Sequence, residues 1–306
     1  MYTASVILKL HEQGLLDLDE VISKYLPVSR INGIHVYKGK DYSCQIRVYQ
    51  LVNQTSGLAD YYLDKPRGGQ SVFDELKQGY DRALDIEQIM AIVRSLSPKF
   101  EPGASNGTKA HYADTNYQLL GAIIESVTGK SIADNFQEMI FAPLNLKYTY
   151  LYDAADRRSD QTPATIYYKE HVFNLPAFFS SKRTDGGIFS TVCENLVFLR
   201  AFFDGKLFAP KFFDRMMQRW NAIFFPMQYA YGMMRFKPPR VFSPFVSFAV
   251  TGAFQPLPVL IGHSGSTGSF AYYCPEKALY LAGTVNQITA ESRPFQLMIQ
   301  IANALQ

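Results

Sequence analysis

The chain has 306 residues, 47% of them hydrophobic and 19% charged, and a formal net charge of +3, a globular composition with ample core material. The charge is small and scattered, which argues against nucleic acid or an anionic membrane as partner, and no run of 18 apolar residues reads as a membrane-spanning helix. Cys44, Cys193 and Cys274 lie far apart, which argues against a disulfide framework and against a zinc site built on close Cys/His pairs.

Residues 1–14 read as a helix buried on most sides, carried by Val6, Leu8, Leu10 and Leu15 and stopped at Gly14. No capping residue or proline precedes it, which leads to the expectation that the chain opens partway into an element. The opening residues have neither a basic n-region nor a small-residue cleavage site, so they are not a signal peptide, and the compartment stays open. Residues 16–27 (LDLDEVISKYLP) suggest a short helix ended by Pro27. Residues 47–63 suggest a helix that breaks at Ser56-Gly57. Residues 86–96 read as helical, and Pro98, Pro102 and Gly103 mark a loop.

From Thr115 to Val127 the apolar set Leu119, Leu120, Ile123, Ile124 and Val127 keeps helical spacing up to Thr128-Gly129. Residues 131–141 form another expected helix, 150–185 are irregular, and 192–203 and 210–220 are helical. The last third changes character. Leu260–Gly265, Ser269–Cys274 and Ala278–Asn286 read as strands, and Pro294–Leu305 as a closing helix. The organisation is a helical middle followed by a small antiparallel sheet.

Two short motifs carry chemistry. Tyr112-Ala113-Asp114 stands just ahead of the 115–127 helix, and His263-Ser264-Gly265 stands on the first of the late strands. They belong to a series: KLHEQGLLDLDEVISKYLP (9–27), LVNQTSGLADY (51–61), HYADTNYQLLGAIIESVTGKS (111–131), TDGGIFST (184–191) and GHSGSTGSFAYYCPEKALYLAGTVNQ (262–287). Single motifs of this kind are weak, but five in order are strong. Together they resemble the serine β-lactamase and D-Ala-D-Ala peptidase (penicillin-binding protein) superfamily, closest to the class C β-lactamase-like branch that also contains esterases.

The resemblance implies an α+β, β-lactamase/transpeptidase-like fold: a helical lobe packed against an antiparallel sheet with flanking helices. It implies one two-lobed domain over 1–306, with the helical lobe at approximately 15–235 and the sheet lobe at approximately 240–306. Two N-terminal sheet strands of such proteins are missing here. The Ala278–Asn286 strand would then be a free apolar edge through which the chain could self-associate.

It also implies a mechanism. Such enzymes use a serine nucleophile, a lysine three residues later on the same helix face, a tyrosine on the opposite wall, and a Lys- or His-containing strand triad. Tyr112 matches the tyrosine, as general base or acid, with its pKa lowered by nearby cations. Asp114 matches the Asn of Tyr-x-Asn and would bond substrate or the lysine. His263 opens the strand triad and would orient substrate and support charge, being partly protonated near pH 7 if unperturbed. The backbone N–H of Ser264 or of Ser266, around Gly265, would be the second oxyanion donor. No metal or organic cofactor is implied. The partner would be a small molecule or peptide bearing an acyl group.

The series lacks its first member. In relatives, Ser-x-x-Lys precedes a stretch like MYTAxxILKL, and this chain starts at that Met. The expectation is an N-terminally truncated serine hydrolase (peptidase, lactamase or esterase), inactive as it stands, whose parent is exported. The alternative is a non-catalytic peptide- or lipid-binding protein that kept the cleft. Ser5 does not replace the serine, since Leu8 stands at the lysine position; it reads as helix packing bonded back to the i−4 carbonyl. Ser56 reads as a turn residue. Gly262-His263-Ser264-Gly265-Ser266 lacks the last glycine of a nucleophile elbow. Asp185-Gly186-Gly187 reads as a turn whose glycines allow close backbone approach. His111 reads as surface, and His11, His35 and His171 have no assigned role.

Overall fold

A computed structural model describes residues 1–156, 163–238, 247–248 and 257–305. Its helical part is built around helix α4 (Asp114–Thr128), which packs against α1 (Tyr2–Glu12), α2 (Val48–Val52), α3 (Ile86–Arg94) and α5 (Ile132–Phe136). The sequence explains the central position of α4: ten consecutive residues from Thr115 to Ile124 are buried, so it is covered on all sides. Its end is equally local. Gly129 takes φ +67°, the left-handed cap that glycine adopts without steric penalty. In α1, residues Thr3 to Leu8 and Leu10 are buried.

A six-stranded antiparallel sheet forms the second layer, from strands β1 (Asn221–Phe224), β2 (Met227–Tyr229), β3 (Met234–Phe236), β4 (Leu260–Ser264), β5 (Ser269–Cys274) and β6 (Leu279–Thr284), in the order 6-5-4-3-2-1. Alternation along β5 buries Phe270, Tyr272 and Cys274 and leaves Ser269, Ala271 and Tyr273 half-buried. The two faces receive different helices. Phe295 of α7 (Arg293–Ala304) packs on Tyr272 and Phe236, whereas Phe203 of α6 (Val192–Phe203) packs on Tyr273 and Tyr280. Tyr272 and Tyr273 point to opposite faces, so the sheet lies between the two helices.

The helical part and the sheet meet at Gly232, between β2 and β3. Its φ is +73°, and a Cβ there would lie 2.3 Å from that of Ala4 in α1. Glycine is required on both counts.

The architecture is the expected α+β arrangement, and the three late strands and closing helix stand where the pattern placed them. Several elements differ. Residues 16–27 hold only one short 3-10 turn, Ile22–Lys24. Their backbone pairs with the next segment instead: Val48 N–H donates to Glu20, Tyr49 N–H to Leu18 and Ile22 N–H to Ile46. The expected 47–63 helix is the five residues of α2. Asn53 accepts from the Thr55 N–H and hydroxyl, and Gln54 turns left-handed at φ +64°. Strands β1–β3 move the start of the sheet to Asn221, upstream of the expected boundary near 240. At three to four residues each, they are too short to show alternation. Part of the expected sheet lobe, 240–246 and 249–256, lies outside the described residues.

Candidate active site

Tyr112 and His263 arrive from different layers. Tyr112 precedes α4, whose entry is fixed by Gln54: its Oε1 accepts the Ala113 N–H at 2.9 Å and also bonds Asn116 Nδ2. His263 is held by β4, between β3 and β5. Their rings lie 6.2 Å apart, and the Tyr229 ring lies 5.6 Å from Tyr112 and 5.8 Å from His263. The fold therefore brings the two motif residues together from opposite layers, with the ring of Tyr229, which sequence reasoning did not single out, packed beside both.

The tyrosine side of the cleft is charged. Lys182 Nζ donates to Asp114 Oδ2 at 2.6 Å and to Asp185 Oδ2 at 3.3 Å, and it lies 4.0 Å from the Tyr62 ring centroid. Asp185 also accepts from the Tyr61 hydroxyl at 2.8 Å and from Gln118 Nε2 at 3.1 Å. A third carboxyl, Asp60, accepts the Asp114 N–H at 3.0 Å and is 2% exposed. One ammonium among three buried carboxyls cannot hold all of them ionised. Burial and the Asp114 carboxylate push Asp60 up to about 8. Burial pushes Asp185 up to about 6, against the pull of Lys182. Lys182 is desolvated, but Asp114 and Asp185 carry its pKa well above the ordinary lysine value.

This corrects one expectation. Tyr112 is not acidified by nearby cations: burial, then the Asp114 carboxylate, raise it well above the ordinary tyrosine value, and Lys182 only opposes them. Tyr112 rests as a phenol. Asp114 is engaged by Lys182, a residue that the motifs gave no reason to pick out. Its signal was its place two residues ahead of the TDGG stretch, and that reveals nothing without the fold.

The strand side is uncharged. Loss of water around the His263 ring pushes it down to about 3, so it rests neutral and offers no charge to a substrate carboxylate, contrary to the partial protonation expected of an unperturbed histidine. His263 Nδ1 lies 2.8 Å from the Ser264 carbonyl, and Nε2 lies 3.4 Å from the Tyr229 hydroxyl. The Ser264 hydroxyl lies 2.9 Å from that of Tyr272. Gly265 N–H donates to Ser269 at 2.8 Å. By antiparallel alternation the Ser264 N–H therefore points away from β5, on the side where pairing with β3 has ended at Gly262–Met234. Ser266 lies in the exposed turn that follows.

The remaining candidates fall elsewhere. Ser5 is buried and its hydroxyl bonds back to the Met1 carbonyl at 3.2 Å. Ser56 is buried and donates to Asn116 Oδ1 at 2.6 Å. His111 pairs with Asp64 at 3.3 Å. At Gly187 a Cβ would meet the Lys182 carbonyl at 2.7 Å, the close approach expected of the glycine pair. Among the described residues no group of His, Cys, Asp and Glu is placed to hold a metal ion, and no helix is long and apolar enough to cross a membrane.

With this geometry in view, four likenesses are informative. Over 231 residues the chain is 25% identical to a teichoic acid D-alanine hydrolase of Staphylococcus aureus, covering 75% of this chain and 50% of that protein. Over 151 residues it is 32% identical to an N-acetylmuramyl-L-alanine amidase of Bacillus subtilis, covering 49% of this chain and 31% of the relative. The chain thus spans half or less of the length of these relatives. Among solved structures, a D-stereospecific amidohydrolase from Streptomyces sp. superposes with a TM-score of 0.73 at 25% identity, covering 99% of this chain and 84% of that one. A penicillin-binding protein from Bacillus halodurans, at 17% identity and a TM-score of 0.70, shares the fold over 99% of this chain and 82% of its own. The Beta-lactamase family model matches residues 1–304. The chain therefore belongs to the Beta-lactamase family, in the superfamily of serine hydrolases that its motifs resemble.

Proposed function

We propose that this chain forms the two walls of a serine-hydrolase cleft that cleaves an amide or ester of a D-amino acid, D-alanine foremost. The observation that carries this reading is the Tyr112–His263 pair, 6.2 Å apart on opposite walls. The relative named as a D-alanine hydrolase and the structure named as a D-stereospecific amidohydrolase support the choice of acyl group. In this reading the nucleophile is the serine of a Ser-x-x-Lys motif, which residues 1–306 do not contain, so the chain by itself forms no acyl-enzyme. His263, neutral, accepts the proton released as the serine hydroxyl attacks the acyl carbon. Tyr112, a phenol at rest, gives its proton to the leaving amine or alcohol. The Ser264 or Ser266 N–H stabilises the oxyanion. Asp114, held by Lys182, positions Tyr112.

The test is an intact mass of the protein from its native source, with and without a penicillin. A species heavier than 34.6 kDa that gains one penicillin mass supports the reading. A species of that mass with no adduct and no ester hydrolysis favours instead a binding protein that keeps the cleft. The same proposal includes self-association through β6, the last strand of the sheet order, checked by sedimentation of the purified chain.

A further inference from the structure

Behind His263 runs a chain of hydrogen-bonding groups that the mechanism above does not use. The Val52 carbonyl lies 3.1 Å from the Tyr117 hydroxyl, which lies 2.9 Å from the Tyr229 hydroxyl, which lies 3.4 Å from His263 Nε2. His263 Nδ1 lies 2.8 Å from the Ser264 carbonyl. Tyr117 and Tyr229 are 6% and 0% exposed; the Gln54 side chain also faces the Tyr229 hydroxyl, as a donor to its oxygen that leaves the hydroxyl's own hydrogen free.

The hydrogens can be counted. Both ends of the chain are carbonyls, which only accept. Between them stand two hydroxyls and one imidazole, joined by four contacts. Each contact needs one hydrogen, each hydroxyl brings one, and a neutral imidazole brings one. Three hydrogens cannot fill four contacts. Ser264 takes the Nδ1 hydrogen at the shortest contact, which leaves Nε2 bare. The vacancy then lies at one of two places. With the hydroxyls turned inward, Tyr117 donates to Tyr229 and Tyr229 to Nε2, and Val52 gives up Tyr117 but keeps the Gly232 N–H at 3.2 Å. With the hydroxyls turned outward, Tyr229 donates to Tyr117 and Tyr117 to Val52, and Nε2 faces an oxygen lone pair. The long 3.4 Å contact is the one that outward turning leaves empty.

We propose that Tyr117 and Tyr229 are positioning residues that form a reversible relay, completed only when His263 carries a second proton. This rests on the functional reading above. The hydroxyls rest outward, the arrangement that the long 3.4 Å contact fits, so a proton taken up on Nε2 meets a Tyr229 oxygen already placed to accept it. Nε2–H then donates to Tyr229, Tyr229 to Tyr117 and Tyr117 to Val52. All four contacts are filled. No covalent bond changes inside the relay, one proton and one positive charge are added, and both leave when the proton returns to the cleft. The relay thus stabilises a transient imidazolium where no carboxylate faces it, by hydrogen bonds to a charged donor.

The test is 15N NMR of the His263 ring at neutral pH, in the whole chain and in Tyr117→Phe and Tyr229→Phe. Removing the Tyr117 hydroxyl leaves Nε2 as the relay's remaining acceptor for Tyr229, so Nε2 becomes more strongly hydrogen-bonded than in the wild type. Removing the Tyr229 hydroxyl frees Nε2 entirely. The expected result is a bare Nε2 in all three, with the Tyr117→Phe resonance displaced to the hydrogen-bonded side of the wild type. Tyr117 does not touch His263, so a mere packing role would not produce that shift. Coincidence of the Tyr117→Phe and wild-type resonances, or a hydrogen resident on Nε2 of the wild type, overturns the relay. In native-source protein that turns over an ester, either variant lowers kcat about ten- to a hundredfold with KM unchanged. Absence of turnover with the NMR pattern intact would sink the functional reading and leave the relay standing.

Discussion

The two walls of the cleft solve one problem, keeping polar groups dry, in opposite ways. The Tyr112 wall does it with charge: Lys182 is shared between Asp114 and Asp185, and Asp60 lies beside them. The His263 wall does it without charge, through the hydroxyls of Tyr229 and Tyr117 and two backbone carbonyls. The difference follows from what each wall can offer. The charged wall has a long, flexible lysine that reaches two carboxylates from a neighbouring loop. The strand wall offers tyrosine hydroxyls and backbone carbonyls. A buried charge without a counter-charge is costly, so histidine there rests neutral.

The contrast predicts unequal responses to mutation. The largest effect is expected at Lys182. Lys182→Met leaves Asp114 and Asp185 without their cation and should destabilise the fold by about 3–5 kcal/mol, read as a shift of the urea unfolding midpoint. A loss under 1 kcal/mol would mean that the cluster is not sustained by this pair.

Next comes pH. Asp60 and Asp185 have folded-state pKa values raised, to about 8 and about 6, above the 3.8 of an ordinary Asp. The folded state therefore holds protons that the unfolded state has released. Their stabilising contribution is complete below about pH 4 and is lost as pH rises through 6 and then 8. The melting temperature should fall across that range, and Asp60→Asn should flatten the part above pH 6. A melting temperature that rises from pH 5 to 8 and is unaltered by Asp60→Asn would contradict this.

The strand wall should respond least. Tyr229→Phe removes uncharged contacts, one of them already empty, and should cost about 1 kcal/mol or less. His263 should show no titration between pH 5 and 9 by NMR, because its pKa is about 3. A titration near 6.5 would place the ring in water and erase the contrast between the walls.

The sequence made the front residue of each wall legible and left the groups behind it hidden. Tyr112 and His263 stand in ordered motifs, and α4 and β4–β6 carry clear periodicity, so the residues that frame the cleft and the elements that hold them could be placed in advance. Lys182, Asp60, Tyr117 and Tyr229 could not. Lys182 reaches Asp114 across 68 positions, and no local spacing encodes such a pair. Tyr117 reads as one more core residue of α4. Tyr229 ends a three-residue strand, and β1–β3 are too short for alternation to emerge. The false helix at 16–27 has a similar origin: its backbone pairs with residues 46–49, so tertiary hydrogen bonds override a helix-like pattern. The expected lowering of the Tyr112 pKa failed because the motif shows neither the burial of the ring nor the balance of Asp114 against Lys182 around it.

The account rests on Tyr112 acting as a proton donor opposite His263, and the most direct test is hydrolysis of a D-alanyl ester by the protein from its native source, wild type against Tyr112→Phe. The account predicts hydrolysis by the wild type and a loss of about 10²–10⁴-fold in kcat in the variant. Equal rates in the two proteins, or no hydrolysis by the wild type, would contradict it.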